Sequence, residues 1–226
     1  GAIAISGGNA IFQTFWNGAH WLCIYGLRFE DCYPVKTNYA SSSDTDHKGH
    51  EIAYCDFYRT TAMFFRNQQS HGTLREMDLS IHDNTFIDLP AGGVRILPVS
   101  GTAGNTVSWE VYRNRVIGAN LGQSYGGGLL YNQAIGGTKH HAWGNYGYDC
   151  RNGAGDFGAM GSGAAQIDGC FIYNDISVNL AMVYGNIAER CGVAFQANRA
   201  VAVHYVANLA IDCGSFGSFT ASAGSE

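Results

Sequence analysis

Two glutamates and two histidines have the types and spacing for acid–base chemistry: Glu51, Glu110, His82 and His141. Inverting glycoside hydrolysis uses two carboxyl groups about 6.5–9.5 Å apart. One protonates the leaving oxygen and the other activates a water. An imidazole titrates near neutrality and serves as general acid or base in hydrolysis or in proton abstraction. Tyr112 is a further candidate base for an elimination. Tyr25, Tyr112, Trp143 and Tyr184 supply rings whose apolar faces and polar rims suit sugar rings. Arg95, with Arg66, Arg75 and Arg113, is available to neutralise an acidic substrate group.

Other polar groups carry less chemistry. Asp44-Thr-Asp-His-Lys-Gly-His-Glu51 offers Asp44, Asp46, His47 and His50 to a cation. Yet His-x-x-His-Glu is not a zinc spacing, and calcium asks for more oxygens. The stretch reads as a solvated loop, no metal or cofactor is expected, and calcium stays an open alternative. The glycine-rich stretches 126–128 and 153–158 lack the Lys-Ser/Thr and following helix of a phosphate loop. The seven cysteines include no C-x-x-C pair.

These residues are positioned by a repeat. Segments beginning at Ile24, Ile52, Ile81, Val111, Ala142, Val183 and Tyr205 align without gaps. Each has an apolar run, a turn residue, a second short run and another turn. A third, glycine-flanked run often follows, as in Gly92-Gly-Val-Arg-Ile-Leu97. The turn column reads Leu27, Cys55, Asn84, Asn114, Asn145, Asn186, Asn208. Asparagine tolerates the left-handed bend, and stacked amides can hydrogen-bond along the column. Five positions on, Cys32, Thr60, Leu89, Ala119, Cys150, Cys191 and Cys213 form a small or apolar column suited to an inward stack. A Cys191–Cys213 disulfide is conceivable there; buried free thiols are the preferred reading. Asp31, Arg59, Asp88, Asp149, Arg190 and Asp212 make a charged column, with pairing expected of Arg59 with Asp31 and Asp88, and of Arg190 with Asp212. The long step from Asn145 to Asn186 is expected to hide one more coil at Ala165–Ile172, with Asp168 in the asparagine position. Another is expected within Ile3–Phe15.

Composition agrees with many short strands. Gly numbers 31 and Pro 3, and hydrophobic residues make up 46% of the 226 against 14% charged. That amount of apolar sequence excludes a disordered chain. The chain reads as one domain, 1–226, and as a piece of a longer protein, since it opens Gly1-Ala2-Ile3 on a strand-like pattern. Net charge is −5 with three lysines, so no basic stripe points to nucleic acid. No apolar run reaches the ~18 residues of a membrane span.

Side chains alternate along a strand. Leu79 and Ile81 are expected to point inward, and Ser80 and His82 outward. One outward row then reads Tyr25, Ala53, His82, Tyr112, Trp143, Gln166, Tyr184, Val206. The row beside it reads Cys23, Glu51, Ser80, Glu110, His141, Ala164, Met182, His204. Glu51 and Glu110 fall two coils apart, about 9.6 Å between Cα positions. Long connections at Tyr33–Gly49, Asn67–Arg75, Pro98–Thr106 and Asn132–Thr138 are expected to wall a groove over this face.

This pattern resembles the pectate-lyase-like right-handed parallel β-helix superfamily. The resemblance implies an all-β solenoid of about eight or nine coils. It also implies a polysaccharide or surface glycan as partner, in an extracellular, secreted or virion-surface setting. Ser70-His-Gly72 and Arg95-Ile-Leu97 only partly match polygalacturonase motifs, and the mannuronan-epimerase Asp-Pro-His is absent. Because the architecture hosts many functions, two readings stand. One is a glycoside hydrolase or polysaccharide lyase; the other is a non-catalytic glycan-binding, tailspike-like or adhesin solenoid. A purely structural spacer is a weaker third. Solenoid ends need covering, so a homo-oligomer or neighbouring capping domains are possible partners.

Overall fold

The aligned segments stack as strands of parallel sheets. The computed structural model describes residues 10–15, 22–39, 47–67, 75–90, 92–98, 105–120, 127–132, 139–151, 170–175, 181–198 and 203–220. Its strands in chain order are β1 (Phe12–Phe15), β2 (Cys23–Tyr25), β3 (Arg28–Glu30), β4 (Val35–Tyr39), β5 (His47–Ala53), β6 (Asp56–Tyr58), β7 (Met63–Asn67) and β8 (Arg75–His82). Then come β9 (Thr85–Leu89), β10 (Val94–Pro98), β11 (Asn105–Tyr112), β12 (Arg115–Asn120), β13 (Gly127–Asn132), β14 (His140–Trp143) and β15 (Tyr146–Arg151). The last are β16 (Cys170–Asp175), β17 (Ala181–Tyr184), β18 (Ile187–Glu189), β19 (Val193–Asn198), β20 (Val203–Val206), β21 (Leu209–Ile211) and β22 (Ser215–Thr220). No helix occurs among the described residues, so none there is long and apolar enough to cross a membrane.

The first sheet orders its strands β2-β5-β8-β11-β14-β17-β20. The second runs from β3 through β6, β9, β12, β15 and β18 to β21, and the third from β1 through every third strand to β22. All pairs are parallel, so the chain visits the three sheets in turn and returns one level along: a parallel β-solenoid. Alternation fills its interior. Ile24, Ile52, Ile81, Val111, Ala142 and Val183 pair in register along the first sheet, and all are buried. In the second, Phe29, Phe57 and Phe86 stack with centroids 4.9 and 4.8 Å apart. Each such buried side chain contributes about 1.5–3 kcal/mol. Val116 and Gly147 continue that row. At Gly147 the space belongs to Phe171 of the third sheet, whose ring would lie 2.3 Å from an added Cβ.

Two left-handed residues turn the chain at each level. The first-corner column is Gly26, Tyr54, Asp83, Arg113, Gly144, Gly185 and Ala207, with φ between 50° and 63°. The second is Asp31, Arg59, Asp88, Gly118, Asp149, Arg190 and Asp212. The first corner corrects the expectation for the asparagines. The bend is made by the residue before each Asn, and the Asn side chain turns inward as a bracket. Asn84 Nδ2 donates to Asn114 Oδ1 at 3.0 Å, Asn114 to Asn145 at 3.1 Å, Asn145 to Asn186 at 2.9 Å and Asn186 to Asn208 at 2.9 Å. Each Oδ1 also accepts the backbone N–H of the preceding level, and each Nδ2 also donates to a strand carbonyl such as Ile52 O or Ile81 O. Cys55 ends the ladder: its N–H reaches Asn84 Oδ1 and its thiol points at Ile24 O.

The direct Asn145–Asn186 bond corrects a second expectation. β14 pairs with β17 and β15 with β18, so no coil lies between them. Cys170–Asp175 is instead the third-sheet strand of the level that begins at β14. Ala164, Gln166 and Asp168 lie outside the described residues, as does all of Ile3–Phe15 before Ala10. The connection expected at Tyr33–Gly49 likewise holds β4 and the start of β5, because Val35 is an inward, fully buried strand residue. In the charged column Arg59 grips Asp31 at 2.7 and 2.5 Å and also reaches Glu30, while Arg190 reaches the Tyr148 hydroxyl. The Arg59 bonds pull the exposed Asp31 carboxyl below its ordinary range. Cys32, Cys150, Cys191 and Cys213 are free thiols, the first three buried.

Candidate functional site

Register along the first sheet puts the acid–base residues on its outer side in two adjacent rows. Glu51 pairs with Ser80, Ser80 with Glu110, and Glu110 with His141. In the next row Tyr25 pairs with Ala53, Ala53 with His82, His82 with Tyr112, Tyr112 with Trp143, and Trp143 with Tyr184. These are the rows of the alignment without Ala164 and Gln166.

A chain of hydrogen bonds crosses four levels of this face. The Tyr25 hydroxyl donates to Glu51 Oε2 at 2.5 Å. Glu51 Oε1 lies 2.7 Å from His82 Nε2, and His82 Nδ1 lies 2.7 Å from Asp83 Oδ2. Arg113 donates to the same Asp83 oxygen at 2.6 Å. The bonds from Tyr25 and His82 hold the Glu51 carboxyl below its ordinary range. For Asp83 burial pushes upward, but the bonds from Arg113 and His82 outweigh it and the net shift is down. Both carboxylates are therefore ionised near neutrality. His82 thus bridges the two carboxylates through its two ring nitrogens. The Glu51 carboxylate drives the Tyr25 phenol well above its ordinary range, keeping it a donor.

This placement corrects the expectation that His82 is an exposed acid–base group. It is only 5% exposed. Its ring stacks on Tyr112 at 4.5 Å and 8°, and makes a T-shaped contact with Tyr54 at 5.8 Å. Both nitrogens are engaged, so His82 positions Glu51 without reaching a substrate itself. Glu51 keeps 37% of its side chain in solvent.

Glu110 has a looser setting. Lys139 Nζ lies 3.8 Å and His141 Nδ1 3.7 Å from its oxygens, all three partly exposed.

The aromatic row has a different geometry from a platform. Tyr112 and Trp143 stack at 4.5 Å and 3°, and Trp143 and Tyr184 at 6.1 Å and 9°. Both faces of Tyr112 and of Trp143 are thus covered by neighbouring rings, because flat side chains at one-level spacing stack on one another. Arg113 lies over Tyr112 and Trp143 at 5.1 and 5.8 Å. Ala53 interrupts the row, and Tyr25 beyond it is 48% exposed.

Three expectations fall elsewhere. Arg95 sits on β10 between Phe64 and Tyr131, in the third sheet and not beside Glu51. With Val94 and Ile96 facing the core, Arg95 can only face outward from that other sheet. Burial pulls its guanidinium below the ordinary range. His50 shares an inward row with Leu79, Trp109 and His140, all buried, and its Nδ1 accepts the Leu22 N–H at 3.3 Å. It is unavailable to a loop cation. Asp44 and Asp46 lie outside the described residues, as do the side chains of His47, Arg66 and Arg75. Among the described residues no group of three His, Cys, Asp or Glu is placed to hold a metal.

Sequence reasoning did not pick out Asp83 or Tyr54. Both occupy the column just before the asparagines, so the alignment already set them at the corner beside His82. No protein-family model, curated protein or solved structure matches the chain.

Proposed function

We propose that this chain is a polysaccharide-active β-helix protein that hydrolyses glycosidic bonds on the outer face of its first sheet. The observation that carries the reading is the Tyr25–Glu51–His82–Asp83–Arg113 chain, which fixes one solvent-reaching carboxylate in its ionised form. A second hydrogen-bonding layer behind one reactive group is how acid–base sites are usually held. Glu51 is the general base. It takes a proton from water as the water oxygen bonds to the anomeric carbon. Glu110, with His141 beside it, gives a proton to the departing glycosidic oxygen. The two stand two strands apart, about 9.6 Å between Cα positions, a spacing suited to inversion. Elimination from uronates is less well supported. Among the described side chains, Asp78, Glu51 and Glu110 share the face with one lysine, Lys139, and Arg113 is already paired with Asp83.

The solenoid itself is proposed as right-handed with eight or nine coils. Parallel crossovers within one sheet wind that way in about 98% of cases. A polysaccharide substrate places the protein outside the cell or on a virion surface.

The test is turnover on neutral and acidic polysaccharides by the unmodified protein, Glu51→Gln and Glu110→Gln. New reducing ends that vanish in both variants support hydrolysis. Absorbance near about 235 nm from an unsaturated product would replace it with elimination, where Tyr or His acts as base. Glycan binding without turnover would leave the non-catalytic solenoid.

A further inference from the structure

The stacked column cannot offer ring faces to a sugar, yet two tyrosines beside the break at Ala53 can. Tyr54 is 62% exposed and Tyr25 48%, the two most exposed aromatic residues among those described. They flank the break at Ala53. Tyr25 pairs with Ala53, and Tyr54 follows Ala53 at the corner one level along. Tyr54 meets the His82 ring at 84° and still keeps most of its surface in solvent.

Tyr54 also sits in a conformation that a bulky residue avoids, with φ 57°. Three of the seven residues in its column are glycine. The other long side chains at left-handed corners are held by partners. Arg113 is paired with Asp83, Arg59 with Asp31, and Arg190 with the Tyr148 hydroxyl. Tyr54 has only the T-shaped contact with His82 and is otherwise open to solvent. Strain kept at an exposed ring beside an ordered carboxylate is a mark of a binding position.

The geometry points to a sugar subsite formed by Tyr25, which bonds Glu51, and Tyr54, at the corner just past Ala53. It takes a pyranose ring of an uncharged glycan, one C–H face on tyrosine and the hydroxyl rim toward Glu51. Uncharged sugars suit it because Glu51, Asp78 and Asp83 all carry carboxylates on or beside this face. The inference rests on the hydrolase reading and adds the substrate class and the residue that recognises it.

The experiment measures glycan binding by calorimetry and KM from reducing ends, with Tm alongside. It uses soluble neutral polysaccharides and their oligosaccharides, with polygalacturonate as the charged comparison. Tyr54→Gly is expected to weaken binding or raise KM at least tenfold while Tm holds or rises, since glycine relieves the left-handed strain. Trp143→Ala is expected to lower Tm and leave affinity within twofold. Unchanged affinity in Tyr54→Gly would overturn the subsite, and so would a fall in Tm that tracks the loss. Preference for polygalacturonate would overturn the substrate class. If the unmodified protein cleaves a neutral glycan but Tyr54→Gly keeps its KM, only the subsite falls. If it neither binds nor cleaves any member of the panel, the hydrolase reading falls too.

Discussion

Replacing Asn114 with alanine removes the middle bracket of the ladder. The side chain makes four bonds: Oδ1 accepts from Asn84 N at 3.1 Å and Asn84 Nδ2 at 3.0 Å, and Nδ2 donates to Ile81 O at 2.9 Å and Asn145 Oδ1 at 3.1 Å. Asn145 Oδ1 keeps the Asn114 backbone N–H at 3.0 Å, so it is not orphaned. The Asn84 N–H, one Asn84 Nδ2 hydrogen and the Ile81 carbonyl lose these partners in a place where Asn84 and Asn114 are each 1% exposed. A buried group left unsatisfied costs about 1–3 kcal/mol. Partial relaxation of the three then gives a loss of about 4 kcal/mol. That is a large share of a typical stability of about 5–15 kcal/mol, and about 10 °C in Tm for a chain of this size. Urea unfolding followed by far-UV circular dichroism measures it, with Asn208→Ala as the control. Asn208 is only half-buried and lies at the end of the ladder, so its loss is expected to be less than half as large. Equal costs at the two positions, or a cost under about 1 kcal/mol at Asn114, would show that water takes over the bracket and that the ladder does not hold the levels together.

The remaining predictions concern the site and the core. Glu51 and Asp83 have folded-state pKa values below their unfolded ones. Their contribution is therefore present above the unfolded carboxylate range, about pH 4, and is lost as pH falls through the lower folded values. Tm against pH is expected to drop on acidification more steeply in the unmodified protein than in His82→Phe, and parallel curves would contradict the relay. Gly147→Ala is expected to cost about 3 kcal/mol by overpacking, since its Cβ would meet the Phe171 ring; Gly147→Ala with Phe171→Leu should recover part of that in the same urea assay. Trp143→Ala is expected to lose about 2 kcal/mol from its stacked contacts, and an unchanged unfolding midpoint would show that the column carries no stability.

The sheets were legible in the sequence because each level repeats the same inward pattern, and a one-residue slip would put Ile24, Ile52 and Ile81 outside. The alignment therefore carried the registers of Glu51, Ser80, Glu110 and His141 without error. It failed at residues 164–168, where an assumed constant coil length required a further level. Insertions at a solenoid corner leave the pairing untouched, as β14 and β17 do on either side of a 41-residue step from Asn145 to Asn186. Arg95 was misplaced for a different reason. The repeat already set it in a third, glycine-flanked run, and that run forms the sheet that the first-strand rows never touch.

The aromatic row marks the deeper limit of reading side chains by column. Outward position was right for Tyr112, Trp143 and Tyr184, but position did not determine what their faces meet. At one-level spacing a flat ring gains more from the ring beside it than from solvent, so a continuous row closes on itself and becomes part of the scaffold. Its surface toward a ligand is reduced to edges. Recognition then moves to where the row is broken, and here the break is Ala53. The missing ring gives Glu51 room to bridge the Tyr25 hydroxyl and His82. It also leaves Tyr25 and Tyr54 exposed on either side of it. The stacked column contributes from beneath by holding the His82 ring flat against Tyr112, which fixes the direction of the bond to Glu51. One substitution in an otherwise repetitive row thus separates the part of the face that stabilises from the part that is free to bind.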